Sequence, residues 1–249
     1  MRIIGGTHKG MKRFNNQDCF AVSTGQNQCW AVVCDGVGGA NGGEVASRTA
    51  CEFIASALRR SILPGTTQSS IENIIISACA GANAEIYHIQ QEKLALRGMG
   101  TTLVGAVVQN GLATIFWAGD SRAYLLRSEQ LSQLTTDHTV VQHLVDMGKL
   151  SPKDALAHPD RNHITRALGV EREVRIEFYI HRMDEEDSIL LCSDGVYNYM
   201  DHQELEAITA MCTTKASVDP IIDSANLGGG GDNITAVIIT PLSQEVARQ

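Results

Sequence analysis

The sequence predicts an α+β fold in which sheets pack face to face under a cover of helices. Three observations carry this. Of 249 residues, 43% are hydrophobic and 19% charged, which suits an ordinary buried core and argues against intrinsic disorder. The periodicities run strands, two long helices, a run of strands, two helices and a strand, not the regular alternation of a doubly wound parallel sheet. Asn110-Gly111, the strongest short hairpin signal, separates two runs rich in Val, Thr, Ile, Phe and Trp, so these strands pair.

Strands are predicted over 2–7, 18–24 and 29–34. A helix follows over 43–60, where Val45, Ala46, Ala50, Phe53, Ile54, Ala57 and Leu58 repeat at helical spacing. A second covers 70–95, with Ser69 and Glu72 at capping-box spacing. The hairpin occupies 101–118 and a strand 122–127. Residues 129–170 are polar, hold four of the eight histidines and end in HPDRNHITRALG. They read as a flap-like insertion over a rigid scaffold, with a short helix at 139–147 before Pro152 and Pro159. Strands return at 174–180 and 188–192, helices at 201–211 and 217–226, and a closing strand at 233–240 after the run Gly228 to Gly231. Neither an internal repeat nor a linker divides the chain, so a single domain over 1–249 is expected.

The net charge of −8 argues against a partner made of nucleic acid or anionic membrane, since counterion release needs clustered Lys and Arg. Residues 99–119 carry no charge over a helix-spanning length, but the central Asn-Gly makes them paired strands and not a membrane span. The N-terminal MRIIGGTHKGMKRF lacks the apolar stretch of a signal peptide. Seven cysteines without a CxxC indicate neither a disulfide framework nor a zinc knuckle, and a reducing cytoplasm is the expected setting. Gly36-Val37-Gly38-Gly39-Ala40-Asn41 misses the dinucleotide fingerprint at its last position, and no GxxxxGK[ST] occurs.

Three carboxylates occupy similar places. Asp35-Gly36 follows Val33-Cys34, Asp194-Gly195 follows Leu191-Cys192-Ser193, and Asp232-Asn233 precedes Ile234 to Ile239. Asp120 ends the hairpin in AGDSRAYL, and Asp18 opens a strand after Arg13-Phe14-Asn15-Asn16-Gln17. One Asp-Gly alone is an ordinary turn. A carboxylate abutting a buried strand is costly unless paired or coordinated, and several together repel. A divalent cation relieves both, and an all-oxygen donor set selects a hard ion such as Mg²⁺ or Mn²⁺.

The ordered set RxxNQD, strand-DGxGG, GTT, AGDSRAYL, SDG and GDNITAV resembles the metal-dependent Ser/Thr protein phosphatases of the 2C type, especially the compact bacterial forms, over nearly the whole chain. The resemblance implies a four-layer α-β-β-α sandwich of two antiparallel sheets flanked by helix pairs, with a two-metal centre at one end. It implies that Asp35 bridges two Mn²⁺ or Mg²⁺ ions, that Asp194 and Asp232 hold the first and the Gly36 carbonyl the second, and that Asp120 with Asp194 forms a weaker third site. Asp18 would orient a metal-bound water and Arg13 would grip the substrate phosphate. A hydroxide bridging the metals would attack phosphorus in line, with no phosphoenzyme. The implied partners are phosphorylated proteins, a cognate Ser/Thr kinase and its substrates, for an enzyme expected to be a cytoplasmic monomer.

Val37 stands where eukaryotic members carry the histidine proposed as general acid, and Gln17 where they carry a glutamate. His138, His158 and His163, or a metal-bound water, are then candidate proton donors, though each histidine reads first as a surface or loop residue. Arg161 and Arg166 either contact substrate or brace the insertion. Two other function classes remain at this stage. A non-catalytic binding module would have lost metal aspartates, and a hydrolase of small phosphoesters would prefer a metabolite to any phosphoprotein.

Overall fold

The computed structural model describes residues 1–25 and 28–241. Among these, eleven strands build two antiparallel sheets. One holds β1 (Arg2–His8), β7 (Arg122–Arg127), β8 (Gln130–Gln133), β10 (Ser188–Cys192) and β11 (Ile234–Thr240), in the spatial order β1-β11-β10-β7-β8. The other holds β2 (Asp18–Thr24), β3 (Gln28–Val37), β5 (Leu103–Gln109), β6 (Leu112–Ala118) and β9 (Glu177–Arg182) in that order, with β4 (Gly100–Thr101) beside β3. Helices α1 (Gly39–Ser61) and α2 (Gln68–Glu92) cover the second sheet, and α6 (His202–Lys215) and α7 (Asp219–Leu227) the first. The expected four layers are present. The remaining helices are short: α3 (Val140–Asp146), α4 (Pro152–Ala155) and α5 (Asp194–Tyr197).

Strand alternation sorts the core into three layers. In β3, Trp30, Val32 and Cys34 face the helices, whereas Cys29, Ala31 and Val33 face the other sheet. In β11, Ile234, Ala236 and Ile238 pack under helices, and Val237 and Ile239 point inward. In β10, Leu190 and Cys192 face out, and Ile189 and Leu191 face in. Continuing the same period by one step places Asp35, Thr235 and Ser193 on the inner face at one end of the sandwich. This is where the apolar layer gives way to polar side chains.

Several boundaries differ from expectation. β3 continues through Asp35 and Gly36 to Val37, because β4 pairs with it (Gly36 opposite Thr101, Val37 opposite Gly100). Asp35 is therefore a strand residue, held on both edges, and not the first residue of a turn. Helix α2 starts at Gln68 on a Thr67 cap whose side chain accepts from the Ser70 amide, so the Ser69/Glu72 capping box does not form. The hairpin turn is as predicted: Asn110 and Gly111 both have positive φ (52° and 74°), the pairing a tight right-twisted hairpin requires. The first residues of the polar stretch at 129–170 belong to the sheet as β8. The strand expected at 174–180 runs instead over Glu177–Arg182.

Candidate metal centre

Asp18 and Asp35 are direct cross-strand partners on β2 and β3, so two carboxylates share the inner face at one point. The backbone around Asp35 is fully tied. Its amide donates to Thr102 Oγ1 (3.1 Å), and its carbonyl accepts from the Thr102 amide (2.8 Å) and Thr101 Oγ1 (2.9 Å). Thr102 Oγ1 in turn lies 2.7 Å from Ser121 Oγ, beside Asp120. The carboxyl of Asp18 is clamped from the opposite sheet: Ser193 Oγ and Thr235 Oγ1 each donate to its Oδ2 at 2.7 Å. Its other oxygen, Oδ1, is buried without a partner.

Arg13, Asp35, Gly36, Asp120, Asp194 and Asp232 all line one cavity of about 870 Å³, and Asp18 stands behind its wall. Asp194 is the first residue of the single-turn helix α5 and accepts from Asn198 Nδ2 (3.0 Å). Asp232 accepts from the Asn233 amide (2.8 Å) and pairs with Arg13 at 2.6 Å, at the half-exposed mouth. Close backbone packing requires glycine at two points. A side chain at Gly36 would stand 2.0 Å from the Gly43 carbonyl, and one at Gly195 would stand 1.9 Å from the Asn233 carbonyl.

The electrostatics are those of crowded, dehydrated carboxylates. Burial pushes Asp18 up to about 6, against the two hydroxyl donors, and Asp232 adds to the rise. Burial and then the charge of Asp137 push Asp120 up to about 6. Asp35 is held well above the usual carboxylate range by burial and by Asp18, Asp194, Asp120 and Asp232. Asp194 is likewise raised by burial, Asp120 and Asp232. A cation is the natural counterweight to such a set. Among the described residues no three carboxylate, histidine or thiol groups are already closed into a coordination sphere. The fit rests instead on oxygen-only chemistry, convergence on one cavity and the orphaned Asp18 Oδ1.

Other residues of the site were not singled out by the sequence reading. Asn233 stitches the loop carrying Arg13 to β11. Its Nδ2 donates to the carbonyls of Lys9 and Asn15 (both 2.9 Å), and its Oδ1 accepts from the Gln17 amide (2.8 Å). Tyr197 donates to the Asp120 carbonyl (3.0 Å), and its ring lies 3.5 Å beneath the Arg122 guanidinium, which forks onto Asp137. Counting by two from the apolar strands would have found Thr102, Ser121, Ser193 and Thr235; the Arg122–Asp137–Tyr197 set has no comparable sequence signal. None of the three candidate histidines lines the cavity. His138 accepts from the Gly119 amide (3.0 Å) and stacks on Trp117, and burial lowers it to about 4, so it braces the Asp120 turn as a neutral ring. His158 accepts from the Asp160 amide, and His163 faces the Asp160 carboxylate at 3.1 Å. Arg166 braces the insertion, meeting His138 and Glu177 at 3.1 Å each.

The family model for protein phosphatase 2C matches residues 5–226. The chain belongs to the protein phosphatase 2C family. It is 37% identical over 235 residues to the serine/threonine phosphatase stp of Listeria monocytogenes, covering 94% of this chain and 93% of that one. The crystal structure of serine/threonine phosphatase Stp1 from Staphylococcus aureus superposes with a TM-score of 0.89 at 33% identity, over 97% of this chain and 95% of the other. The catalytic domain of the serine threonine protein phosphatase PstP, in complex with two manganese ions, superposes with a TM-score of 0.81 at 31% identity, over 95% and 96%. This protein phosphatase 2C member is a metal-dependent protein-serine/threonine phosphatase acting on phosphoproteins. No helix among its described residues is long and apolar enough to cross a membrane.

Proposed function

We propose that Asp35 is shared by two Mn²⁺ or Mg²⁺ ions, one completed by Asp194 and Asp232 and the other by the Gly36 carbonyl, and that Asp120 with Asp194 can take a third. The convergence of these mutually repelling, buried carboxylates on one cavity carries the reading. Bound there, divalent ions acidify water and offset charge on the phosphoryl oxygens. The protein's own part is positional. The two threonines fix Asp35 by its backbone. Ser193 and Thr235 fix Asp18 behind Asp35, from where it would orient a water held at the centre. Arg13, at the mouth, turns its planar fork to the substrate phosphate. The enzyme then reverses a cognate Ser/Thr kinase, as a single-domain monomer of the cytoplasm over residues 1–249, with the polar segment at 129–170 flanking the substrate.

The test is hydrolysis of a phosphothreonine peptide, stimulated by manganese and abolished by EDTA. Asp35→Asn should lose both turnover and manganese binding measured by calorimetry. Full activity in that variant would refute the assignment.

A further inference from the structure

The catalytic cavity adjoins a second one. Val37 and Ile164 line both, and the second encloses about 480 Å³. Its floor is apolar. Val37 and Gly100 are opposite each other in the β3–β4 ladder, and a side chain on Gly100 would stand 2.7 Å from Val170 Cγ2 and 3.6 Å from Val37 Cγ2. Two valines therefore close over a bare glycine, and Ala167 and Val174 extend the surface. Val170 is 53% exposed, so a concave apolar surface is left to water. The two arginines on the rim do not offer a free charge: Arg166 and Arg175 share Glu177 at 3.1 and 3.3 Å.

The floor and the catalytic carboxylate are held by one strand pair: Val37 follows Asp35 on β3, and Thr101, next to Gly100 on β4, holds the Asp35 carbonyl. Val37 is two residues beyond Asp35 in β3, about 7 Å at the rise of an extended strand. An extended polypeptide with its phosphoresidue over Asp35 covers that distance in about two or three residues.

We propose that the second cavity is a substrate subsite, taking an aliphatic side chain two or three residues from the phosphorylated serine or threonine. This rests on the phosphatase reading above and adds the recognition that reading lacks. Adjacency to the catalytic cavity through Val37 and Ile164 makes the substrate chain its occupant, and the valine floor suits an aliphatic side chain, while Glu171 and Glu173 in the lining disfavour an acidic one.

The experiment uses phosphothreonine peptides with Leu, Gly, Asp or Lys at each of the three positions on either side. p-Nitrophenyl phosphate serves as the substrate with no flanking residue. The wild-type protein should favour Leu over Gly and Asp at one position by about tenfold in kcat/KM. Val170→Asp should lower the ratio of Leu-peptide to p-nitrophenyl phosphate turnover by about tenfold and shift the preference at that position to Lys. A general packing defect would not produce that shift. Equal use of Leu and Gly peptides by the wild type, or a proportional loss on both substrate types in Val170→Asp, overturns the subsite. Failure of the manganese-loaded wild type on p-nitrophenyl phosphate and every peptide would instead overturn the phosphatase reading.

Discussion

Asp18→Asn should stabilise the metal-free protein at neutral pH, although it removes a side chain that nothing else in the site replaces. Burial raises Asp18 to about 6, whereas an unfolded chain titrates it near 3.9. Between those values the folded state binds more protons than the unfolded state, so stability is complete below about pH 4 and falls as pH rises to about 6. Above that the ionised, half-satisfied carboxylate costs about 3 kcal/mol, at about 1.4 kcal/mol for each of roughly two units. Asparagine keeps an oxygen for Ser193 and Thr235 and places N–H groups where Oδ1 had no partner, toward its cross-strand neighbour Asp35. For a chain of this size 3 kcal/mol corresponds to roughly 6–12 °C in Tm. Calorimetry in EDTA at pH 7.5 should show the variant melting higher, and at pH 4 the two should converge. Asp35 and Asp194, which the Asp18 charge also raises, add to the difference in the same direction. Saturating manganese should raise the wild type more than the variant. A variant that melts at or below the wild type in EDTA at pH 7.5 would refute the argument.

Two more outcomes follow from the geometry. Arg13→Ala should lower kcat/KM on a phosphothreonine peptide by about ten- to hundredfold, the size of a lost charge-assisted hydrogen bond, and lysine should restore only part because it cannot fork; steady-state kinetics on the three proteins decide it. Gly195→Ala sets a methyl 1.9 Å from the Asn233 carbonyl and should cost about 1–3 kcal/mol in urea unfolding, together with weaker manganese binding, since Asp232 is carried on the displaced backbone.

The fold was legible where alternation was strong. Strands 18–24 and 122–127 lie where the pattern put them, and the Asn110-Gly111 turn is sharp. It was not legible at β8, where Gln130-Leu-Ser-Gln is a mostly exposed edge with a single buried residue. The cap of α2 went to Thr67 because a threonine hydroxyl two residues earlier reaches the Ser70 amide. At the site, carboxylates at strand ends were conspicuous because ionised groups beside buried strands need a reason. The hydroxyls that hold them lie on the inward period that counting by two exposes, but their donation to Asp18 appears only once the two sheets are docked. The histidines misled for the converse reason: a titratable ring in a polar loop looks chemical, and His138 spends itself on a backbone amide.

The sheet order also sets a timetable. Among the described strands β1 comes first in the chain, yet its strand partner is β11, the last of them, which slots between β1 and β10 inside its sheet. β11 brings Thr235, and the residue just before Asn233 at its head is Asp232. A growing chain can therefore fold its second sheet, with Asp18 and Asp35 in place, and still have no closed donor set. On the proposed donor set, a chain whose β11 has not docked lacks both Asp232 at the centre and the Thr235 clamp on Asp18.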